Sequence, residues 1–226
     1  MNKTQYPNLK GTIFIVTYGR SGSTLLQSML QGIPGAHIIG ENFGALYHLF
    51  SGFQRIAKTR RKWGQKEQPM NSPWYGADKL APVRFRDRMI DLFVEEVIQP
   101  PKDVRWYGFK EIRYGEGVIG NDFEAYVGFL RRAFPNAYIV FNSRNGEDVS
   151  KSRWWKKSKP EDVQDMVRTM DAKFEAYTRE FPEQCFHARY EDTVADPTCL
   201  KPLFVMLGEP FDADRAQEVL GVKLKH

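Results

Sequence analysis

Two groups of residues in this 226-residue chain have the types and spacing needed to hold an anion. The first runs from Thr17 to Thr24 as T-Y-G-R-S-G-S-T. Gly19 and Gly22 permit a tight turn there, while Thr17, Tyr18, Ser21, Ser23 and Thr24 bring hydroxyls. Arg20 brings a guanidinium able to bridge two oxygens of a phosphate or sulfate. The second group is Arg144 and Ser152, eight positions apart. The first lacks both the G-x-x-x-x-G-K-[ST] spacing and its lysine, which removes the main support for a magnesium-dependent kinase.

The elements that must carry these residues are readable from periodicity. Thr12 to Thr17 and Ala137 to Phe141 are short, apolar and rich in β-branched or aromatic side chains, as strands buried on both faces of a parallel sheet are. After Ser23, residues Leu25, Leu26, Met29 and Leu30 recur at helical spacing, so strand, glycine turn and helix come in order. Such a turn aims backbone N–H groups and a positive helix end at one point. Arg144 stands just beyond the second strand, at the edge where open α/β sheets take ligands. A helix over 146–157 would put Ser152 about two turns in.

Further strands are expected at Ala36–Ile39, Trp106–Ile112 and Cys185–Arg189. Helices are expected from Asn42 through Phe50, over Arg84–Gln99, Phe123–Ala133 and 160–180, and at 197–207 and 212–220. Strands alternating with helices imply a mostly parallel sheet covered on both sides. Residues 51–83 read as too irregular for a long element and are expected to form an insertion or lid on a single domain spanning 1–226.

Composition bounds the rest. Hydrophobic residues at 42% and charged residues at 27% exclude wholesale disorder and fibrous repeats. A net charge of +5 suits an anionic ligand without deciding one. Two cysteines, Cys185 and Cys199, argue against a disulfide framework and fit a reducing compartment. The apolar run Ile13–Val16 is too short for a signal core or a membrane span, so a cytoplasmic protein without a transmembrane segment is expected.

Together the two anion groups resemble the nucleotide site of the sulfotransferases that use 3′-phosphoadenosine 5′-phosphosulfate (PAPS). In that family a T-Y-P-[KR]-S-G-[ST]-T loop holds the 5′-phosphosulfate, and an arginine followed eight positions later by serine holds the 3′-phosphate. Gly19 stands where the family commonly has proline. R-S-G-S-T-L-L, then Gly40-Glu41, then Y-E-D-x-x-x-D-P from Tyr190 to Pro197 is similar to the branch with bacterial and tyrosylprotein sulfotransferases. The similarity extends from about Gly11 to Gly208 and is weakest over 51–105.

The resemblance implies a P-loop-like three-layer fold, PAPS as donor, 3′,5′-adenosine bisphosphate as product, and no metal. It implies Glu41 as general base, Lys110 at the leaving oxygen, and Arg20 sharing that role. His37 is the rival base, by analogy with the histidine-dependent members, although it sits mid-strand. Arg113 reads as a surface residue, and Trp154 and Trp155 as half-buried rings on a solvated basic helix face. Lys223 and Lys225 are the candidates to replace the basic loop that closes the pocket in other members, the alternative being a more open pocket. The acceptor would be a small molecule, glycan or peptide; no nucleic-acid-reading motif is present. A Mg-ATP-dependent small-molecule kinase and a non-catalytic nucleotide- or polyanion-binding module are the competing readings.

Overall fold

The protein is described by a computed structural model covering residues 5–115 and 117–222. Its five strands are β1 (Gly11–Val16), β2 (Ala36–Ile39), β3 (Trp106–Glu111), β4 (Ala137–Ser143) and β5 (Cys185–Arg189). They form one sheet in the order β2-β3-β1-β4-β5, every pairing parallel. β1 and β3 are buried along their whole length, which is why both read as continuous runs instead of alternating.

Nine α-helices connect and cover the strands among the described residues: α1 (Ser23–Leu30), α2 (Ala45–Trp63), α3 (Pro82–Phe93), α4 (Phe123–Ala133), α5 (Gly146–Ser150), α6 (Pro160–Glu180), α7 (Tyr190–Ala195), α8 (Lys201–Leu207) and α9 (Ala213–Gly221). Side-chain alternation divides the core into two layers. Ile13, Ile15, Trp106 and Val140 face α1, α8 and α9, while Phe14, Val16, Phe109, Ile139 and Phe141 face α2, α3, α4 and α6. The chain is thus the expected three-layer α/β fold with a parallel sheet.

Three expectations need correction. Residues 51–63 are not irregular: α2 continues without a break to Trp63, and only 64–81 lack a long element. The buried stripe of α2 stops near Phe50. Beyond it Phe53 still packs on Phe50 and Phe129, Trp63 stacks on Trp74, and Arg60, Arg61 and Lys62 stand at the helix's negative end. No helix spans 146–157 either. Asn145 caps α5 by accepting from the N–H groups of Glu147 and Asp148, and α5 ends at Ser150. Ser152 is extended (φ −66°, ψ 143°) and starts a separate 3₁₀ turn, Arg153–Trp155, whose Trp154 N–H it accepts. Finally, the helix expected from Asn42 begins at Ala45, after a turn with left-handed Phe43 (φ 59°) and Gly44 (φ 73°). Lys223 and Lys225 lie outside the described residues. No helix among those described is long and apolar enough to cross a membrane.

Candidate functional site

Parallel pairing brings all five strand C-termini to one edge, and the strand order sets the residues just beyond them in a row. Glu41 comes after β2, Lys110 and Arg113 lie at the end of β3, the Thr17–Thr24 loop succeeds β1, Arg144 succeeds β4 and Tyr190 succeeds β5. Residues far apart in sequence thereby come to one edge of the sheet, the edge at which chains of this topology accept ligands.

The loop after β1 has a backbone turn of the kind that can cradle an anion. Arg20 (φ 70°) and Gly22 (φ 78°) are both left-handed, which turns successive N–H groups inward. None of the N–H groups from Arg20 to Thr24 donates to an acceptor among the described residues, even though Ser21 and Ser23 are buried. Gly22 is required for a second reason: a Cβ there would sit 2.1 Å from Cδ2 of the Tyr190 ring. Arg20 forms no ion pair with any described carboxylate.

Not every hydroxyl of the loop faces the cradle. Thr17 and Ser21 are fully buried; Thr17 donates to the Asn142 carbonyl at 2.6 Å and shares a 2.7 Å hydrogen bond with Ser21. Asn142 in turn donates to the Ser21 carbonyl at 2.8 Å, tying the loop to β4. The Tyr18 ring is buried, and its hydroxyl accepts from Arg144 N–H (2.9 Å) and lies 3.1 Å from Asp171 Oδ1. These three side chains hold the loop from behind, while Arg20 and Thr24 are half-buried and Ser23 is buried.

Arg144 stands beside the cradle. Its guanidinium lies 4.4 Å over the Tyr190 ring, one Nη reaches the Arg20 carbonyl at 3.4 Å, and its buried Nε has no partner. An orphaned guanidinium N–H next to unpaired backbone donors marks a place shaped for an anion. Trp155, on the turn that Ser152 caps, donates its Nε1 hydrogen to the Gly19 carbonyl at 3.4 Å. Trp154 and Trp155 therefore clamp the loop and do not lie on a long helix face. A cleft of about 610 Å³ opens there, lined by Tyr18, Gly19, Ile112, Trp155, Met166 and Met170.

At the other end of the row, Glu41 is held by two cations. Lys110 Nζ lies 2.7 Å from Oε1 and Arg113 Nη1 lies 2.9 Å from Oε2. Burial alone would raise the Glu41 pKa, but the hydrogen bonds and charges of Lys110 and Arg113 outweigh it and hold the carboxyl below its usual range. Arg113 is no surface residue: it bridges Glu41 and the buried Glu111 and covers the Phe43 ring at 4.0 Å. His37 is remote from this group, its ring bonded to the Ile98 carbonyl at 2.8 Å. Sequence reasoning also passed over Glu111 and gave Tyr190 no place in the crevice. Only the Y-E-D pattern hinted at Tyr190, and an acidic residue ending an apolar strand was the one signal for Glu111.

Behind Arg144, burial pushes the Asp171 carboxyl up to about 6, against the Tyr18 hydrogen bond and Arg189, with Glu175 and Glu191 adding to the rise. Burial and then Arg189 push His187 down to about 4. No group of three or more His, Cys, Asp or Glu is placed to hold a metal among the described residues.

Comparison with known proteins bears on this site. Residues 12–213 match the family described as the sulfotransferase family. The sulfotransferase domain of the Synechococcus PCC 7002 olefin synthase is similar in structure, with a TM-score of 0.55 and 21% identity over 97% of this chain and 78% of that one. The sulfotransferase domain from the curacin biosynthetic pathway gives a TM-score of 0.51 and 20% identity over 92% and 77%. No curated protein sequence matches the chain.

Proposed function

We propose, from the premise that this chain belongs to the sulfotransferase family, that it transfers a sulfuryl group from PAPS to an acceptor hydroxyl or amine with Glu41 as general base. One observation supports the donor assignment: the unpaired N–H groups of Arg20–Thr24 lie beside Arg144, whose buried Nε has no partner and whose Nη reaches the Arg20 carbonyl. A nucleotide with phosphate groups at both ends of its ribose needs that arrangement. In this reading the cradle and Arg20 take the 5′-phosphosulfate, Arg144 and Ser152 take the 3′-phosphate, and Tyr190 offers a ring face between them.

Transfer requires an in-line acceptor, charge stabilisation and help for the leaving oxygen. The acceptor O–H bonds to sulfur while the bond from sulfur to the 5′-phosphate oxygen breaks, and Glu41 takes the acceptor's proton. Lys110 neutralises charge on the departing oxygen. The same Lys110 grips Glu41 in the resting protein, so donor binding would draw it away and restore basicity to the carboxylate. A weak base suffices where the transition state is loose and the acceptor proton leaves late. The cleft beside Gly19, apolar in Ile112, Met166 and Met170, takes the acceptor's body. The whole chain acts as one domain, with 51–83 on the acceptor side because α2 begins just after Glu41.

The test is calorimetric titration with adenosine 3′,5′-bisphosphate, joined to a screen of radiolabelled PAPS against phenols, alcohols, amines, glycans and peptides. Saturable 1:1 binding without magnesium and label transfer to one acceptor class are expected. Absence of a binding signal at millimolar ligand removes the donor assignment.

A further inference from the structure

Glu111, the last residue of β3, carries a carboxylate that is 3% exposed and bonded on every side. Oε2 accepts from the backbone N–H of Asn42 at 3.2 Å and of Gly44 at 2.8 Å. Oε1 accepts from Ile112 N–H at 2.8 Å and from Arg113 Nη1 at 2.9 Å. Its neighbours on the same face of the strand, Tyr107 and Phe109, are core aromatics. A charge buried at the end of such a run is costly to desolvate, and an apolar residue of similar volume would often stabilise the fold more. The carboxylate provides instead the shape of the turn that bears Glu41.

That turn does not hold itself. Phe43 adopts φ 59°, a region costly for a bulky residue, and its side chain is 78% exposed, so packing does not impose the conformation. A single oxygen of Glu111 clips the N–H groups on both sides of Phe43. The other oxygen fixes Arg113, which reaches Glu41 and stacks on the Phe43 ring. We infer that Glu111 is a positioning residue for sulfuryl transfer: its carboxylate sets the 41–44 turn and the Arg113 guanidinium, and through them the direction of the Glu41 carboxylate. The inference rests on the proposed role of Glu41.

Glu111→Gln keeps the size but turns an NH₂ group toward donors now satisfied by oxygen. The variant is expected to bind adenosine 3′,5′-bisphosphate within about threefold of wild type and to keep the KM for PAPS. Its kcat should fall about 10- to 100-fold, the scale of a displacement near 1 Å in a reacting group. Amide exchange at Asn42 and Gly44 should accelerate by at least about tenfold as their acceptor is lost. A folded variant with wild-type kcat overturns the inference, and so does a loss expressed only in the KM for PAPS. A second measurement needs no variant: in the unmodified protein the Gly44 amide is expected to be protected, and exchange at the free-peptide rate refutes the clip. A wild-type protein inert toward PAPS defeats the sulfotransfer reading and this role of Glu111 with it, whereas an active wild type beside an unaffected variant defeats the role alone.

Discussion

Glu41→Gln isolates the proposed base, because the amide keeps the length of the side chain and one acceptor oxygen while losing the charge. The structural cost derives from its two partners, Lys110 at 2.7 Å and Arg113 at 2.9 Å. A hydrogen bond to a charged group contributes roughly 1.5–3 kcal/mol, but glutamine retains one of the two and the site is one-third open to water. The net loss should be about 1–2 kcal/mol, a fall in Tm of roughly 2–8 °C for a chain of this size. The kinetic cost is larger: without a group to take the acceptor proton, kcat should drop about 10²- to 10⁴-fold. Affinity for adenosine bisphosphate should stay within about threefold. The wild-type pH profile adds a check with a fixed sign. In the resting protein burial raises the Glu41 pKa, but Lys110 and Arg113 lower it by more, so the free enzyme's base stays ionised and kcat/KM stays flat down through the ordinary glutamate range near 4.3. The paired charge stabilises the fold above the unfolded-state pKa, and that contribution is lost as pH falls through the depressed folded value. Single-turnover measurement with labelled PAPS reads the chemical step; turnover within tenfold of wild type in a folded Glu41→Gln protein would refute the assignment.

Other expectations concern the opposite end of the crevice and the frame around it. Arg144→Ala removes two charge-assisted contacts of roughly 1.5–3 kcal/mol each but spares the cost, about 1 kcal/mol, of lifting the guanidinium off Tyr190; affinity for adenosine bisphosphate should fall on the order of a hundredfold by calorimetry. Asp171→Asn should raise Tm at pH 7.5 and leave it nearly unchanged at pH 3. The wild-type carboxyl, raised to about 6, ionises at an energetic cost above that pH and is already neutral in both states below the unfolded value. Glu209→Gln should lower stability by about 2 kcal/mol in denaturant titration, because the buried carboxylate joins Lys10, Arg105 and the Trp106 indole N–H, each near 2.7–2.8 Å.

Much of the fold was legible because its signals are local. β1 is a largely apolar run, β3 and β4 are apolar as far as Phe109 and Phe141, and the glycines of the Thr17–Thr24 loop mark a strand-to-helix turn whatever surrounds it. The second half of α2 was hidden because Arg55 to Lys62 carry no apolar stripe to announce a helix. The break after Ser150 was hidden because Ser152 caps a new turn, a choice the hydrophobic pattern does not record.

The anion-binding vocabulary of Thr17–Thr24 belongs to the sequence alone, since residue type and spacing suffice to state it, whereas the eight-residue offset at Arg144 and the candidate base at Glu41 follow from the family resemblance that the sequence carries. Which of those groups face the crevice was decided by the tertiary structure. Parallel pairing in the order β2-β3-β1-β4-β5 lines up the strand ends; burial then turns Thr17, Tyr18 and Ser21 inward and draws Arg113 and Glu111 toward Glu41. Hydrogen-bond satisfaction across strands distant in the chain is a property of the assembled sheet, and no local pattern encodes it.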